Sequence, residues 1–342
     1  MQTQALIKNF FSRIAGLIIV MFSAGLIQQS IAQTVSDTSQ RLSPEILPGK
    51  GIKQFDFFYA GEGKSRNMYI VQNGKITWSY TDTTGRGEIS DAILMKNGDI
   101  IFAHQFGVTL IDHNKKVLWN YDTPDGFETH TAQLIGKDHV VIVQNGKPAK
   151  VLVMNIKTNK IEKEFMLPFK SNTHDQIRHA RLTKSGTLLV AHMDLGKVCE
   201  YDINGKELLS IDVPHVWSAV PLKNGNILAT SNKDFVREIT RSGNIVWDYS
   251  VTDISGYKIT NPQLSVRLPN GNTLINNWLN SWSTTVNPRN APVQAIEVTP
   301  DKKIIWALRS WTDPINLGPS TTIQLLNDPN NITDNVHFGN IR

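Results

Sequence analysis

The stretch Glu88–Tyr121, EISDAILMKNGDIIFAHQFGVTLIDHNKKVLWNY, reads as one sheet unit, and the same unit recurs along the chain. Ile89–Met95, Ile100–Ala103, Val108–Asp112 and Val117–Tyr121 are its strands, with Lys96-Asn97-Gly98-Asp99 as a tight turn between the first two. Asn-Gly between apolar runs is a strong hairpin signal, because a two-residue hairpin turn of this kind wants φ > 0 at both positions. The turn returns as Gly136-Lys137-Asp138, Lys184-Ser185-Gly186, Lys223-Asn224-Gly225 and Pro269-Asn270-Gly271, with a degenerate copy at Leu326-Asn327-Asp328. The fourth strand closes with Trp78, Trp119, Phe165, Leu209, Trp247 and Trp306. These lie roughly 40–45 residues apart until an insertion near Trp282–Pro292 stretches the last gap, and a four-strand unit of that period predicts a propeller blade. No blade can bury both faces alone, so each must stack on its neighbours with the large closing side chain between them.

The ends of the repeat predict how the ring shuts. Phe55–Ala60, Asn67–Val71 and Lys75–Tyr80 supply three strands with no first strand before them. Ser320–Leu326 supplies a first strand with nothing after it. Joined, they make one composite blade beside five contiguous ones. The expected fold is therefore all-β, a six-bladed β-propeller of four-stranded blades in one domain over 51–342, with no free sheet edge.

Two blade ends carry a family resemblance. Asp202-Ile-Asn-Gly205-Lys-Glu-Leu-Leu209 and Thr240-Arg-Ser-Gly243-Asn-Ile-Val-Trp247 resemble the D-x-x-G-K-x-x-W ends of quinoprotein-like (PQQ-like) propellers. With six blades the chain looks more like the arylsulfotransferase-type propellers than the eight-bladed dehydrogenases. The resemblance covers Phe55–Asp328 and rests on a structural motif, so it implies fold rather than activity. Quinone enzymes of this kind place a vicinal cysteine pair at the cofactor. Cys199 is the single cysteine here, which argues against PQQ.

Residues 1–32 read as a secretory signal peptide: Lys8 and Arg13 precede the apolar run Ile14–Ile27, and Ser30-Ile31-Ala32 suits cleavage before Gln33. The expected location is therefore secreted or periplasmic, with no membrane span after cleavage. Residues 33–50 read as a flexible polar leader. One cysteine allows no internal disulfide, so the core must hold by packing. The formal charge of +5 is spread without a like-charge run, which excludes a nucleic-acid stripe. The chain is expected to be a monomer. Asn331-Ile332-Thr333 forms a glycosylation sequon.

Antiparallel first and second strands bring the start of the one and the end of the other to the same rim of the channel. The starts carry Glu88 and Ser90, Glu128 and His130, Gln176 and Arg178, His215 and Trp217, Asn261 and Gln263, and Gly318 and Ser320. The second-strand ends carry His104, Gln144, His192, Asn232 and Trp278. The turn rim carries mainly Lys, Asn and Gly. Loops on one face of a rigid scaffold are where sites usually form. Candidate catalytic residues are therefore Glu128, His130, Arg178 and His192. Candidate ligand contacts are Glu88, His104, His179, His215, Trp217, Gln263 and Trp278, with the indoles suited to a sugar or aryl ring and Arg178 to a carboxylate or sulfate. His104, His130, Gln144 and His192 offer an N/O set for a divalent metal. Against these stands the plain reading of a polar, water-holding channel. Two functions follow: a binding module for a glycan, small anionic molecule or partner protein, and an enzyme acting on a uronic or sulfated substrate (a polysaccharide lyase, a hydrolase or an arylsulfotransferase-like enzyme).

Overall fold

A computed structural model of the protein describes residues 46–61, 63, 65–83, 87–252, 257, 259–280, 286–287, 291–328 and 336–342. The expected signal peptide, most of the leader, much of the insertion near Trp282 and the sequon lie outside the described residues. Six four-stranded antiparallel sheets form the ring. The composite blade 1 orders Thr322–Leu325, Phe57–Ala60, Asn67–Gln72 and Lys75–Thr81. Its seam pairs Phe57 with Leu325 and Ala60 with Thr322, as the unmatched ends of the repeat predict. The first strands of the contiguous blades are Asp91–Leu94, Glu128–Ile135, Ile177–Leu182, Val216–Pro221 and Asn261–Arg267, in blades 2 to 6. These strands pack against those of neighbouring blades, so they line the channel. A short hairpin, Trp311–Thr312 with Ile315–Asn316, stands outside the blades.

The apolar runs of the second strands are continuous because both faces are covered. In blade 2, Ile100 and Phe102 turn toward blade 1 while Ile101 and Ala103 turn toward blade 3. Side chains alternate across a strand, so a run without polar breaks belongs between two neighbours. The core accordingly divides into six clusters among the described residues, one for each pair of adjacent blades.

The closing tryptophans do more than fill these gaps. Each of four indoles donates to the chain that follows it around the ring: Trp78 Nε1 to His113 O (2.8 Å), Trp119 to Asn159 Oδ1 (3.2 Å), Trp247 to Pro300 O (3.0 Å) and Trp306 to Gly51 O (2.8 Å). Trp306 thereby latches blade 6 onto the chain entering blade 1. Trp78, Trp119 and Trp306 are buried, while Trp247 is partly exposed, with Arg267 over its ring. In blade 3 the register puts Lys163, not Phe165, opposite the residue equivalent to the Trp119 partner Leu110; Phe165 takes the place of Tyr121.

The hairpin turns differ from the expected geometry. Gly98, Gly186, Gly225 and Gly271 have φ of 89, 73, 86 and 85°, but the preceding Asn97, Ser185, Asn224 and Asn270 are not in the left-handed region. The bonds Gly225 N to Leu222 O and Leu222 N to Asn226 O enclose one more residue than a two-residue loop does. These are three-residue loops with a glycine bulge, which need only one φ > 0.

Candidate functional site

The first strands begin on the face that carries the loops between blades, and four of them begin with a bulge. In blades 3, 4 and 5 the ladder to the second strand skips one residue, and that residue is His130, Arg178 or Trp217. In blade 6 it skips Gln263 and Leu264. A bulge leaves its extra residue out of the ladder and bends the strand, which re-aims a side chain. The same device is therefore repeated around one mouth of the channel, and each time it carries a residue singled out from the sequence.

Three blades converge there. Arg178 Nη1 donates to Glu88 Oε1 (2.7 Å) and to His130 Nδ1 (3.0 Å). Ser90 Oγ lies 2.9 Å from His130 Nδ1 and 3.3 Å from Glu88 Oε1. His130 Nε2 donates to Glu128 Oε2 (2.9 Å), and His174 Nδ1 donates to the same oxygen (2.8 Å). Trp217 of blade 5 lies under the Arg178 guanidinium, 5.0 Å from its ring centre. His130 is fully buried, whereas the His174 side chain is 44% exposed. Burial, and then the Arg178 charge, push His130 down to about 4, so the ring is neutral at pH 7. Burial works to raise Glu128, but the hydrogen bonds from His130 and His174 outweigh it and hold the carboxylate ionised well below the usual range. Because an ionised Glu128 can only accept, His174 carries a proton on Nδ1, and Nε2 is the ring nitrogen that Glu128 does not engage.

His174 lacks a signal in the strand pattern. It sits in a 3-10 turn, Thr173–Asp175, capped by Asn172, in the loop between blades 3 and 4. That position is outside the alternation of the strands. The available clue is Asn172-Thr173-His174-Asp175, a capped turn with a histidine inside it.

A second polar layer lies deeper. Arg181 grips Asp91 with two bonds (2.7 and 2.6 Å), and Thr131 Oγ1 donates to Asp91 as well (2.7 Å). Burial would raise the Asp91 carboxyl; the Arg181 charge outweighs it and holds the group low. His179, beside this pair, is pushed down to about 3 by burial and by Arg181, and neither ring nitrogen has a partner.

The remaining candidates are held elsewhere. His104 faces Thr109 in blade 2 (3.1 Å), Gln144 donates to the Tyr121 hydroxyl (2.8 Å), and His192 meets the Tyr201 hydroxyl (3.0 Å). These side chains pack within and between blades rather than into the channel, and burial pushes His192 down to about 4. His215 is exposed in a turn with φ of 56°. Trp278 ends its strand, and its carbonyl accepts from Thr260 Oγ1. Gln263 is buried with its whole amide unpartnered, and Arg178 Nε is likewise a buried donor without a partner. Such orphan groups at a channel mouth are ready contacts for a ligand.

Among the described residues, His130 is the one of the four residues considered for a metal that belongs to a close donor set. Glu88, His130 and His174 bring one ligand atom each within 4.8 Å of one another. The Arg178 guanidinium already binds Glu88 and His130, so a metal ion would have to displace a cation from two of its three donors. The donor set as it stands is built for the arginine.

Sequence reasoning set aside the turn rim, yet a cavity of about 480 Å³ opens there, at the end of the channel opposite the Glu88 cluster. The titratable cluster and this cavity thus occupy different mouths. The cluster is the stronger candidate for chemistry because it unites acid, base and cation from three blades.

Fold and site together define a six-bladed β-propeller with a charged, bulge-built channel mouth. No protein-family model matches the sequence, and no curated protein is similar to it. Solved structures do match in shape. A protein of unknown function from Bacteroides caccae superposes with a TM-score of 0.66 at 24% identity, over 79% of this chain and 97% of that one. A streptogramin B lyase gives 0.52 at 15% identity, over 77% and 84%. A catalytically inactive histidine-to-alanine variant of the Staphylococcus aureus virginiamycin B lyase, solved with quinupristin, gives 0.52 at 12% identity, over 77% and 87%. At these identities the likeness is one of fold.

Proposed function

We propose that the Glu88 mouth binds an oxygen-rich ligand and acts on it by proton transfer, with His174 as the base. The observation that carries this is the chain His174–Glu128–His130–Arg178–Glu88. An ionised carboxylate orients an exposed imidazole, so its Nε2 can take a proton and the resulting imidazolium is stabilised in place. The neighbouring environments lower both Glu128 and His130, so at pH 7 both are deprotonated and the pair accepts and relays hydrogen bonds rather than supplying an acid. Arg178 Nε, the Gln263 amide and the Trp217 edge supply donors and an indole for the ligand, and the guanidinium would steady negative charge as it develops. A uronic or sulfated saccharide suits these groups. Lyase activity, as named for two of the fold neighbours, would use the same base and cation. An exported chain, as residues 1–32 suggest, would meet such substrates outside the cytoplasm.

A purely binding role is the second reading, favoured by the way Glu88 and Arg178 satisfy each other. One experiment separates the two. The mature protein is screened for melting shifts against uronic, sulfated and neutral oligosaccharides. For a hit, Gln263→Ala should weaken the shift, while His174→Gln should keep it and abolish turnover. Turnover that survives His174→Gln overturns the catalytic assignment. A shift untouched by Gln263→Ala and by Arg178→Ala overturns the site.

A further inference from the structure

We propose a second ligand site at the opposite mouth of the channel, for a small, uncharged and mostly apolar molecule with a single hydrogen-bonding group. It is independent of the reading of the Glu88 cluster. The cavity of about 480 Å³ is of a size that holds a small ligand. It lies where the first strands of blades 5, 6 and 1 run into their turns, and its walls include Leu222, Leu264, Val266, Leu268 and Leu325.

What makes the occupant uncharged is that the buried and half-buried polar side chains around the cavity are engaged by the protein, while Lys223 and Asn224, which also line it, are exposed at the turn and turned to water. Gln324 clamps the backbone of Leu94, accepting from its N (3.0 Å) and donating to its O (2.8 Å). Gln133 Oε1 accepts from Leu182 N (2.9 Å). Arg267 donates to Glu238 Oε2 (3.0 Å) and to Gly271 O (3.1 Å). Arg181 is neutralised by its two bonds to Asp91. A charged ligand would find no uncompensated partner among these four, and burying it there would be costly. The exception among the buried lining side chains is Thr322, which is 3% exposed and whose hydroxyl has no partner. A buried hydroxyl beside an apolar cavity is the natural contact for one polar group on an otherwise apolar molecule.

The blades also explain why the space persists. Blades 3 and 4 have their turns on this face covered by the C-terminal segment: Phe338 is buried against Phe165 and Tyr201, and Gly339 N bonds to Gly186 O (2.8 Å). The cavity wall is built from the turns of blades 5 and 6, which that segment does not touch in these contacts.

The test uses the neutral fluorophore N-phenyl-1-naphthylamine with the folded mature protein. Fluorescence should rise to saturation at one probe per chain, and the melting temperature should rise with probe concentration. Val266→Trp fills the cavity from blade 6 and should weaken binding at least tenfold without lowering the melting temperature. Should that variant fail to fold, Leu222→Trp fills the same space from blade 5 and is read in its place. Thr322→Val should weaken the probe several-fold while leaving the fold intact. The proposal is overturned if the probe binds without saturation, or if a folded filled variant binds it as the native chain does.

Discussion

At the scale of single residues, the buried histidines make acid sensitivity predictable. His130, His179 and His192 stay neutral in the fold down to about 4, 3 and 4, whereas an unfolded chain protonates histidine near 6.5. Between those values the unfolded state binds more protons, so stability is full above about pH 6.5 and falls as pH drops toward 4. Glu128 and Asp91, also depressed, add a loss of the same sign at lower pH, below the ordinary carboxylate range. Calorimetry from pH 8 to 4 should show a flat melting temperature and then a decline, and His179→Gln should make the decline shallower. A flat profile to pH 4 would mean these rings are solvated. The indoles give a second residue-scale expectation. Trp119→Ala should cost on the order of 3–5 kcal/mol in denaturant unfolding, as other large-to-small core changes do. Trp247→Ala should cost less, because its side chain is partly exposed and the residue of its carbonyl partner, Pro300, is exposed. Which positions line the mouth was legible from strand starts alone; His174 was not, since a loop residue has no periodicity to betray it.

At the scale of elements, turns and bulges separate what sequence tells from what it hides. The Asn-Gly pairs located the hairpins correctly, yet the loop built from them needs the left-handed conformation only at the glycine. Gly225 tests this cleanly, because an added Cβ would meet no atom within 4 Å. Gly225→Ala should therefore cost about 1–2 kcal/mol from backbone strain alone. Asn224→Ser keeps a side-chain acceptor at the place where Asn226 N bonds Asn224 Oδ1 (3.0 Å), and serine stands at the equivalent place in Lys184-Ser185-Gly186; it should cost less by the same chemical denaturation, since Asn224 needs no special φ. Equal costs would restore the two-residue turn. The rim bulges were invisible beforehand, because a skipped residue in a ladder has no compositional mark. Alternate positions were nonetheless the right ones to compare, since the bulge falls at the same point in each of blades 3 to 5. Choosing among His104, Gln144, His192 and His130 required knowing which side of a strand faces the axis, and a polar residue at a strand end can turn either way.

At the scale of the whole molecule, ring closure was readable because two incomplete repeats at the ends add up to one. The bonds at the seam set its expected weight. Removing residues 320–342 takes away the first strand of blade 1, together with Phe338 and its packing on blades 3 and 4. The truncated chain should melt well below the full-length protein and expose apolar surface. A narrower deletion of 336–342 should lower the melting temperature less, because the seam is kept. The cavity at the turn mouth was beyond sequence reading, since enclosed space arises from the tilt of six sheets and not from any motif. The seam also has a consequence in time. Phe57–Ala60 leaves the ribosome about 260 residues before its partner Thr322–Leu325. At ordinary rates of synthesis the interval is on the order of tens of seconds. Throughout it the nascent chain carries a bare, wholly apolar strand edge, Phe-Phe-Tyr-Ala, whose best substitute partner is the Thr322–Leu325 strand of a neighbouring copy finished earlier. Crowded translation of this message should therefore yield interlocked pairs exchanging that one strand, and dilution should not.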